Sequence, residues 1–502
     1  MSRLTKNLIY QVSGQGLVLL LGFVGVKFIF GRLGPDAFGI IYFNIVLAGV
    51  LTTALELGVL ATMVREVAAR YVSEPVYVEQ LIRTASLLYW STGIVLFVAV
   101  FVAAPALIDH WVNVKTIDHS TATTMLRYLS VTSLIMLPRA LYSSLFQGRQ
   151  RMELNNGIDV ASSAIQQVGI IVILARGGDA FLAVQWIATS AVLSTLAYMT
   201  MASRLFGWRA LAPGLFRSVL RRNIGFTAHL SVLSVLNMFL VQFDRVVVSK
   251  LLPIASVGYY SFASMVVIRI AFAATAIGQA ALPSFSSLQT APDAPVLRTQ
   301  YRKLQDLMGF GMVPLFAAAC FGALPVYASI FNSSVAWNLL APTALLSVGF
   351  FMYSTVNVPY TLSVAMGRPE IASRSYVLAI VIAAPIATVA TMRFGLTGAA
   401  TWWVTFESVL YAYMVPRILR RCLQMGVLSW YLHILRIVAL ASLTYGSAWL
   451  LIVVPHSYAT VFLIGGYVAA SALFLLGAYL LIGPELRATV VTIPRRLARG
   501  VS

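Results

Sequence analysis

The feature that most constrains this chain is serial: long apolar runs, each about the length of a membrane span, follow one another from end to end with short polar linkers between them. A bilayer core of roughly 30 Å is crossed by about 20 apolar residues in a helix. Fourteen segments qualify: 9–31, 38–62, 84–108, 124–146, 156–175, 181–203, 224–249, 257–282, 307–330, 338–365, 375–393, 396–416, 431–454 and 458–482. Of the 502 residues, 60% are hydrophobic and only 10% charged, against roughly 25% charged in soluble domains. One globule cannot bury that much apolar surface, so the expected class is all-α integral membrane. The first run is too long for the h-region of a signal peptide, roughly 7 to 15 residues, and is expected to be a retained helix.

The net charge is +19, which could suggest nucleic acid, but that reading needs a contiguous basic patch on a folded domain. Here the bases are distributed between spans, and no nucleic-acid partner is expected. Counting Lys and Arg in alternate linkers gives 24 on one side and five on the other, Arg32, Lys115, Arg176, Lys250 and Arg393. The positive-inside rule then puts both termini in the cytoplasm of a cytoplasmic (inner) membrane protein. Cys320 and Cys422 match no redox or metal-ligand spacing. There is no P-loop, no dinucleotide fingerprint and no HExxH. The longest linker on the base-poor side, about 109–123, leaves little room for an extracytoplasmic catalytic domain. A transporter without catalytic chemistry and without a bound cofactor is the expectation, with H+ or Na+ as the coupling ion.

The halves repeat. Arg32 and LGPDAFG (33–39) after span 1 match Lys250 and LLPIASVG (251–258) after span 7; QGR (147–149) after span 4 matches MGR (366–368) after span 10; Trp186 and Trp403 open spans 6 and 12. The offset is about 219. A duplicated unit of six helices keeps its orientation, so the repeats are parallel. The predicted organisation is an N-terminal six-helix lobe (1–212), a second six-helix lobe (213–427), and a C-terminal helix pair with a cytoplasmic tail (428–502).

Ionisable residues inside spans are costly and point to cavities, partners or proton paths. Arg269 lies about twelve residues from either end of span 8, beyond the reach of snorkelling. Lys27 and Arg245 occupy near-equivalent positions of the two repeats, and Arg139 follows Pro138 in span 4. These four are the candidate substrate-binding cations, although Arg139 also suits a structural pairing with Glu56 or Asp159. Glu56, Asp159, Asp244 and Glu407 are candidates for ion coupling, each with the alternative of neutralising an arginine. His229 reads as a packing residue. The excess of cations favours an anionic substrate such as phosphate or pyrophosphate.

The stretch 28–70 resembles the start of bacterial oligosaccharide flippases of the multidrug/oligosaccharidyl-lipid/polysaccharide exporter superfamily. The resemblance rests on the Arg-Leu-Gly-Pro turn ending in Phe38-Gly39, on Glu56-Leu57-Gly58, on Arg65-Glu66 and on QGR at 147–149. It implies two lobes about a V-shaped, cation-lined cavity walled by spans 1, 2, 7 and 8. The implied substrate is an undecaprenyl-pyrophosphate-linked oligosaccharide, flipped to the outer leaflet by alternating access for exopolysaccharide or other surface-polysaccharide synthesis. Polysaccharide polymerase or assembly proteins are the implied partners. Spans 13 and 14 depart from the commoner twelve-helix pattern; in fourteen-helix relatives the extra pair helps form a lipid-tail groove. A multidrug cation antiporter and a non-transport scaffold are the competing readings.

Overall fold

The computed structural model describes residues 3–55, 59–287, 294–453, 460–484 and 486–487. Among them there is no strand, and eleven helices are long and apolar enough to cross a membrane. The chain is all-α, as its hydropathy requires. In order the helices are α1 (Arg3–Leu55), α2 (Val59–Arg70), α3 (Pro75–His110), α4 (His119–Gly148), α5 (Met152–Ala175), α6 (Ala180–Phe206), the short α7 (Trp208–Leu211), α8 (Arg217–Leu251), α9 (Ile254–Ser287), α10 (Ala294–Ile330), α11 (Ser333–Ala365), α12 (Pro369–Ile418), α13 (Val427–Ala441), α14 (Ser447–Val453) and α15 (Thr460–Leu481). Five-residue π turns lie at Leu419–Leu423 and Ser442–Gly446.

Two of these helices contain a junction where the sequence predicts one. In α1, Gly34 has φ 82° and ψ 178°, a conformation open essentially to glycine alone. Pro35 follows, a residue suited to the first turn of a new helix because the amide it lacks has no intrahelical partner there. In α12 the junction is Gly395, at φ 59° and ψ −132°. Within α1 and α12 the helices before and after these glycines are therefore separate helical segments that meet at a single non-helical residue.

The chain packs as two compact units, Met1–Tyr259 and Tyr260–Ser502. The unit boundary follows packing, and it falls later than the repeat boundary because α8 packs on α1. In the first unit one hydrophobic core joins α2, α3, α4 and α6 through Met63, Val67, Ile82, Leu141, Phe146 and Tyr198. The Leu-Gly-Pro-Asp-Ala-Phe-Gly segment does more than turn the chain. Asp36 is buried and accepts the backbone amides of Lys115 and Thr116 at 2.7 and 2.5 Å, fixing the linker between α3 and α4. Gly39 lies against the backbone of Ile254, so close that a Cβ there would sit 2.3 Å from its carbonyl oxygen. Gly258 lies against the Phe38 ring in the same way. The two sequence motifs that recur between the halves thus dock on each other, with a glycine of each admitting the other.

Backbone geometry refines the repeat offset. After α4 the left-handed residue is Gln150 (φ 56°), and Arg151 N–H bonds back to Phe146 O; after α11 it is Gly367 (φ 70°), and Arg368 N–H bonds back to Ser363 O. This six-to-one closure is the Schellman end of a helix, and Arg151 and Arg368 are the N-cap residues of α5 and α12. The equivalent residues are therefore 217 apart at this turn, not the 219 that pairing the Gly-Arg dipeptides suggests. Gly177 and Gly395, both at positive φ, are 218 apart.

In the second unit α13 and α15 pack on α10. Asp306 is buried and accepts Gly483 N–H at 2.8 Å, and it lies 3.2 Å from His433 Nε2. Tyr467 donates to the carbonyl of Pro314 at 3.2 Å. The outer face of α15 stays apolar and uncovered, with Val461, Phe462, Leu473 and Leu480 exposed, as a helix facing hydrocarbon requires.

Candidate functional site

Lys27 is exposed on α1 and has no hydrogen bond or ion pair among the described residues. Arg245 lies on α8, whose side chains reach α1. A Cβ on Gly49 would meet the Gln242 amide, and the charge of Arg245 is felt at the half-buried Tyr42. Arg245 Nη1 donates to Gln242 Oε1 at a long 3.4 Å, while its Nε is buried without any acceptor. A buried donor of a charged group left unsatisfied is expensive. Asp244, next in the chain, is buried and takes the Arg245 backbone amide at 2.8 Å.

Arg139 is paired with an acid of a neighbouring helix. Its Nη2 lies 2.7 Å from Asp159 Oδ1, the guanidinium sits 5.5 Å from the Tyr198 ring centre, and Tyr198 donates to the same Asp159 oxygen at 2.9 Å. These contacts tie α4 to α5 and α6. Of the two roles open to Arg139 in the sequence, the structure displays the neutralising pair with Asp159.

Arg269 lies on α9, in the second unit, 15 residues after Ile254 and 18 before Ser287. Its half-buried side chain is engaged with neighbours.

Glu407, on α12 in the same unit, is completely buried, and neither carboxyl oxygen has a hydrogen-bond partner. The groups near enough to sense its charge are Tyr353, Tyr376 and Tyr411. The hydroxyls of Tyr353 and Tyr411 are already engaged, with Thr275 at 3.3 Å and with Thr355 at 2.5 Å. Neutralisation by an arginine, the plain alternative for every acid in a span, holds for Asp159 and not for Glu407. Glu56 and the side chain of His229 lie outside the described residues.

One cluster escaped the span-by-span reading because it belongs to the linker 63–83. Glu66 is buried and paired with Arg65 and Arg70 at 2.6 and 2.8 Å, with Tyr77 donating to it at 3.1 Å; Glu74 receives Arg222 of α8 at 2.8 Å and also Arg70. The spacing of Glu66, Arg70 and Glu74 at successive i,i+4 positions was a usable signal. The partner from α8 was not visible in it.

Eleven helices long and apolar enough to cross a membrane, with charges set within helices of both units, define a polytopic membrane fold. Solved structures share it. A lipid II flippase, MurJ, in an inward closed conformation matches with a TM-score of 0.70 and 12% identity, over 95% of this chain and 98% of that one. An inward-facing multidrug-resistance MATE transporter matches with a TM-score of 0.65 and 15% identity, over 80% and 94%.

The chain belongs to the family described as "Polysaccharide biosynthesis protein", whose model matches residues 4–289. It is similar to a Shigella flexneri protein named "Putative O-antigen transporter", at 20% identity over 424 residues, which is 82% of this chain and 97% of the relative.

Proposed function

We propose that the protein is a flippase for undecaprenyl-pyrophosphate-linked oligosaccharide, carrying it from the cytoplasmic to the outer leaflet by alternating access during cell-surface polysaccharide synthesis. The observation that carries this reading is the state of the in-span charges: Lys27 is exposed without a partner, and Arg245 keeps a buried Nε with no acceptor, so the uncompensated charge on α1 and α8 is positive. The family description, the O-antigen name of the relative and the lipid II flippase name of the structural neighbour support the same substrate class. The physical task is to move a sugar-pyrophosphate headgroup through hydrocarbon that offers it no hydrogen bonds. Guanidinium groups suit the pyrophosphate because they can donate to two of its oxygens at once. Lys27, Arg245 and Arg269 are each assigned contacts with it; Arg139, already paired, positions helices.

Without a nucleotide-binding motif the energy source is an ion gradient, the membrane potential or the substrate gradient, and the ion gradient is the one assigned in this reading. The proposed coupling residue is Glu407, because an ionised carboxylate buried without a partner costs several kcal/mol, and binding H+ or Na+ removes that cost. The test is uptake of a fluorescent lipid-linked oligosaccharide in proteoliposomes. Arg245→Ala and Arg269→Ala, expressed and folded as the wild type, abolish flipping, and Arg269→Lys keeps part of it. Wild-type rates in both alanine variants would refute the anion-binding assignment, and gradient-driven efflux of cationic drugs in place of the lipid would make the chain a drug antiporter.

A further inference from the structure

At the end of α12, away from every group assigned above, the second unit holds a cavity of about 530 Å³ lined by Pro416, Arg417, Arg420, Arg421, Val427 and Tyr431. We infer that this cavity binds the phosphate headgroup of an anionic phospholipid, whose acyl chains lie along α13.

The local backbone builds the site. α12 gives way to the π turn Leu419–Leu423, after which Gln424 takes a left-handed conformation and Met425 N–H returns to Leu419 O. Arg298, reaching from α10, donates to the carbonyls of Leu423 and Gln424 at 2.8 and 3.3 Å. The linker is therefore held at both of these carbonyls. π turns cluster at functional sites, and this one carries Arg420 and Arg421.

The charges have no internal explanation. Arg417 is held against its own helix, over the Tyr413 ring and donating to Tyr413 O at 2.8 Å, with further donors left over. The side chains of Arg420 and Arg421 are exposed and make no hydrogen bond or ion pair among the described residues. No carboxylate lines the cavity. Glu370 and Arg368 lie outside that lining, near Cys422. Three guanidinium groups within five residues repel one another, and the negative end of one helix dipole, about half a charge, does not balance them.

Two observations select a lipid over a free anion. The cavity sits where the apolar α12 gives way to a basic linker, and basic pockets between membrane helices take anionic headgroups. Beside it Leu428, Leu432 and Leu435 on α13 are 69%, 43% and 61% exposed. Their spacing makes a continuous apolar track leading from the cavity into the hydrocarbon. The hydroxyl of Tyr431 is already used, donating to Tyr411 O at 2.7 Å, so the arginines supply the polar recognition.

The experiment is native mass spectrometry of the full chain from nanodiscs of mixed phosphatidylglycerol and phosphatidylcholine, with melting curves in added phosphatidylglycerol, phosphatidylcholine, inorganic phosphate or pyrophosphate. The wild type retains phosphatidylglycerol over phosphatidylcholine and is stabilised by it. Arg420→Gln with Arg421→Gln, both exposed, binds it roughly 30-fold more weakly, while the control pair Arg302→Gln with Lys303→Gln on α10 behaves as wild type. Equal retention in the Arg420/Arg421 variant, or an equal loss in the control pair, would overturn the site. Stabilisation by phosphate or pyrophosphate but not by phosphatidylglycerol would overturn the lipid assignment. Pyrophosphate stabilisation that persists in the Arg420/Arg421 variant belongs to the proposed flippase site and not to this cavity, so the loss in that variant is read separately from the flippase reading.

Discussion

Replacing Glu407 by methionine separates a coupling role from a structural one, because the two predict opposite signs for stability. Glu407 is fully buried and both carboxyl oxygens lack hydrogen-bond partners. Removing a buried polar group that has no partner returns its desolvation cost, about 1–3 kcal/mol. Methionine fills a similar volume and adapts to irregular surroundings, so little packing is lost. The variant is therefore expected to be more stable than the wild type, where most core substitutions destabilise. At roughly 2–4 °C per kcal/mol for a unit of about this size, the gain is read as a rise of several degrees in a fluorescence melt of the detergent-solubilised protein. In proteoliposomes the same variant loses the acceleration that an imposed H+ or Na+ gradient gives the wild type. A lower melting temperature would refute the reasoning from the unpartnered carboxyl, since it would mean the group makes stabilising contacts. Unchanged gradient dependence would remove Glu407 from the coupling step.

Three further outcomes follow from single contacts. The Arg139–Asp159 pair has both side chains 39% exposed, so a double-mutant cycle of Arg139→Ala and Asp159→Ala should give a coupling of no more than about 1 kcal/mol; a coupling several-fold larger would contradict a half-solvated pair. Gly39→Ala places a Cβ 2.3 Å from the Ile254 carbonyl oxygen, and overpacking of this kind costs about 1–3 kcal/mol, to be read as a lowered melting temperature. At the N-cap of α4, hydrogen bonds from Ser120 and then from the Thr121 side chain and amide hold the Asp118 carboxyl well below the usual carboxylate range. The sign is that of a depressed acid: the cap is present above the unfolded value near 3.9 and is lost only as pH falls through the lower folded value. Protection of the Thr121 amide in hydrogen exchange should persist below pH ~4, whereas Asp118→Ala exposes it at all pH values.

Hydropathy carried most of the fold because the membrane leaves the backbone one economical answer, a helix that satisfies its own amides and carbonyls. The apolar runs, the Leu-Gly-Pro turn at 33–35 and the recurrence of the linker motifs are local properties, legible in order along the chain. The in-span charges were legible as a set for the same reason: a charge among apolar residues is conspicuous whatever the tertiary contacts are.

What separates those charges was decided only by packing. Arg139 and Arg245 look alike as arginines within apolar runs, yet one meets Asp159 and Tyr198 from neighbouring helices and the other keeps a buried Nε unused. Asp159 and Glu407 are likewise two acids in spans until the helices assemble, when one gains a cation and the other is enclosed among tyrosines from α11 and α12 whose sequence positions share no period. The cavity at Arg417, Arg420 and Arg421 depends on a π turn and on Arg298 arriving from a distant helix. The sequence by itself determined the solvent, the helices and the sign of the excess charge, because each follows from composition over one or two turns. Which charges are spent on partners and which remain open to a ligand is set by contacts between residues far apart in the chain, and only the tertiary structure decides those.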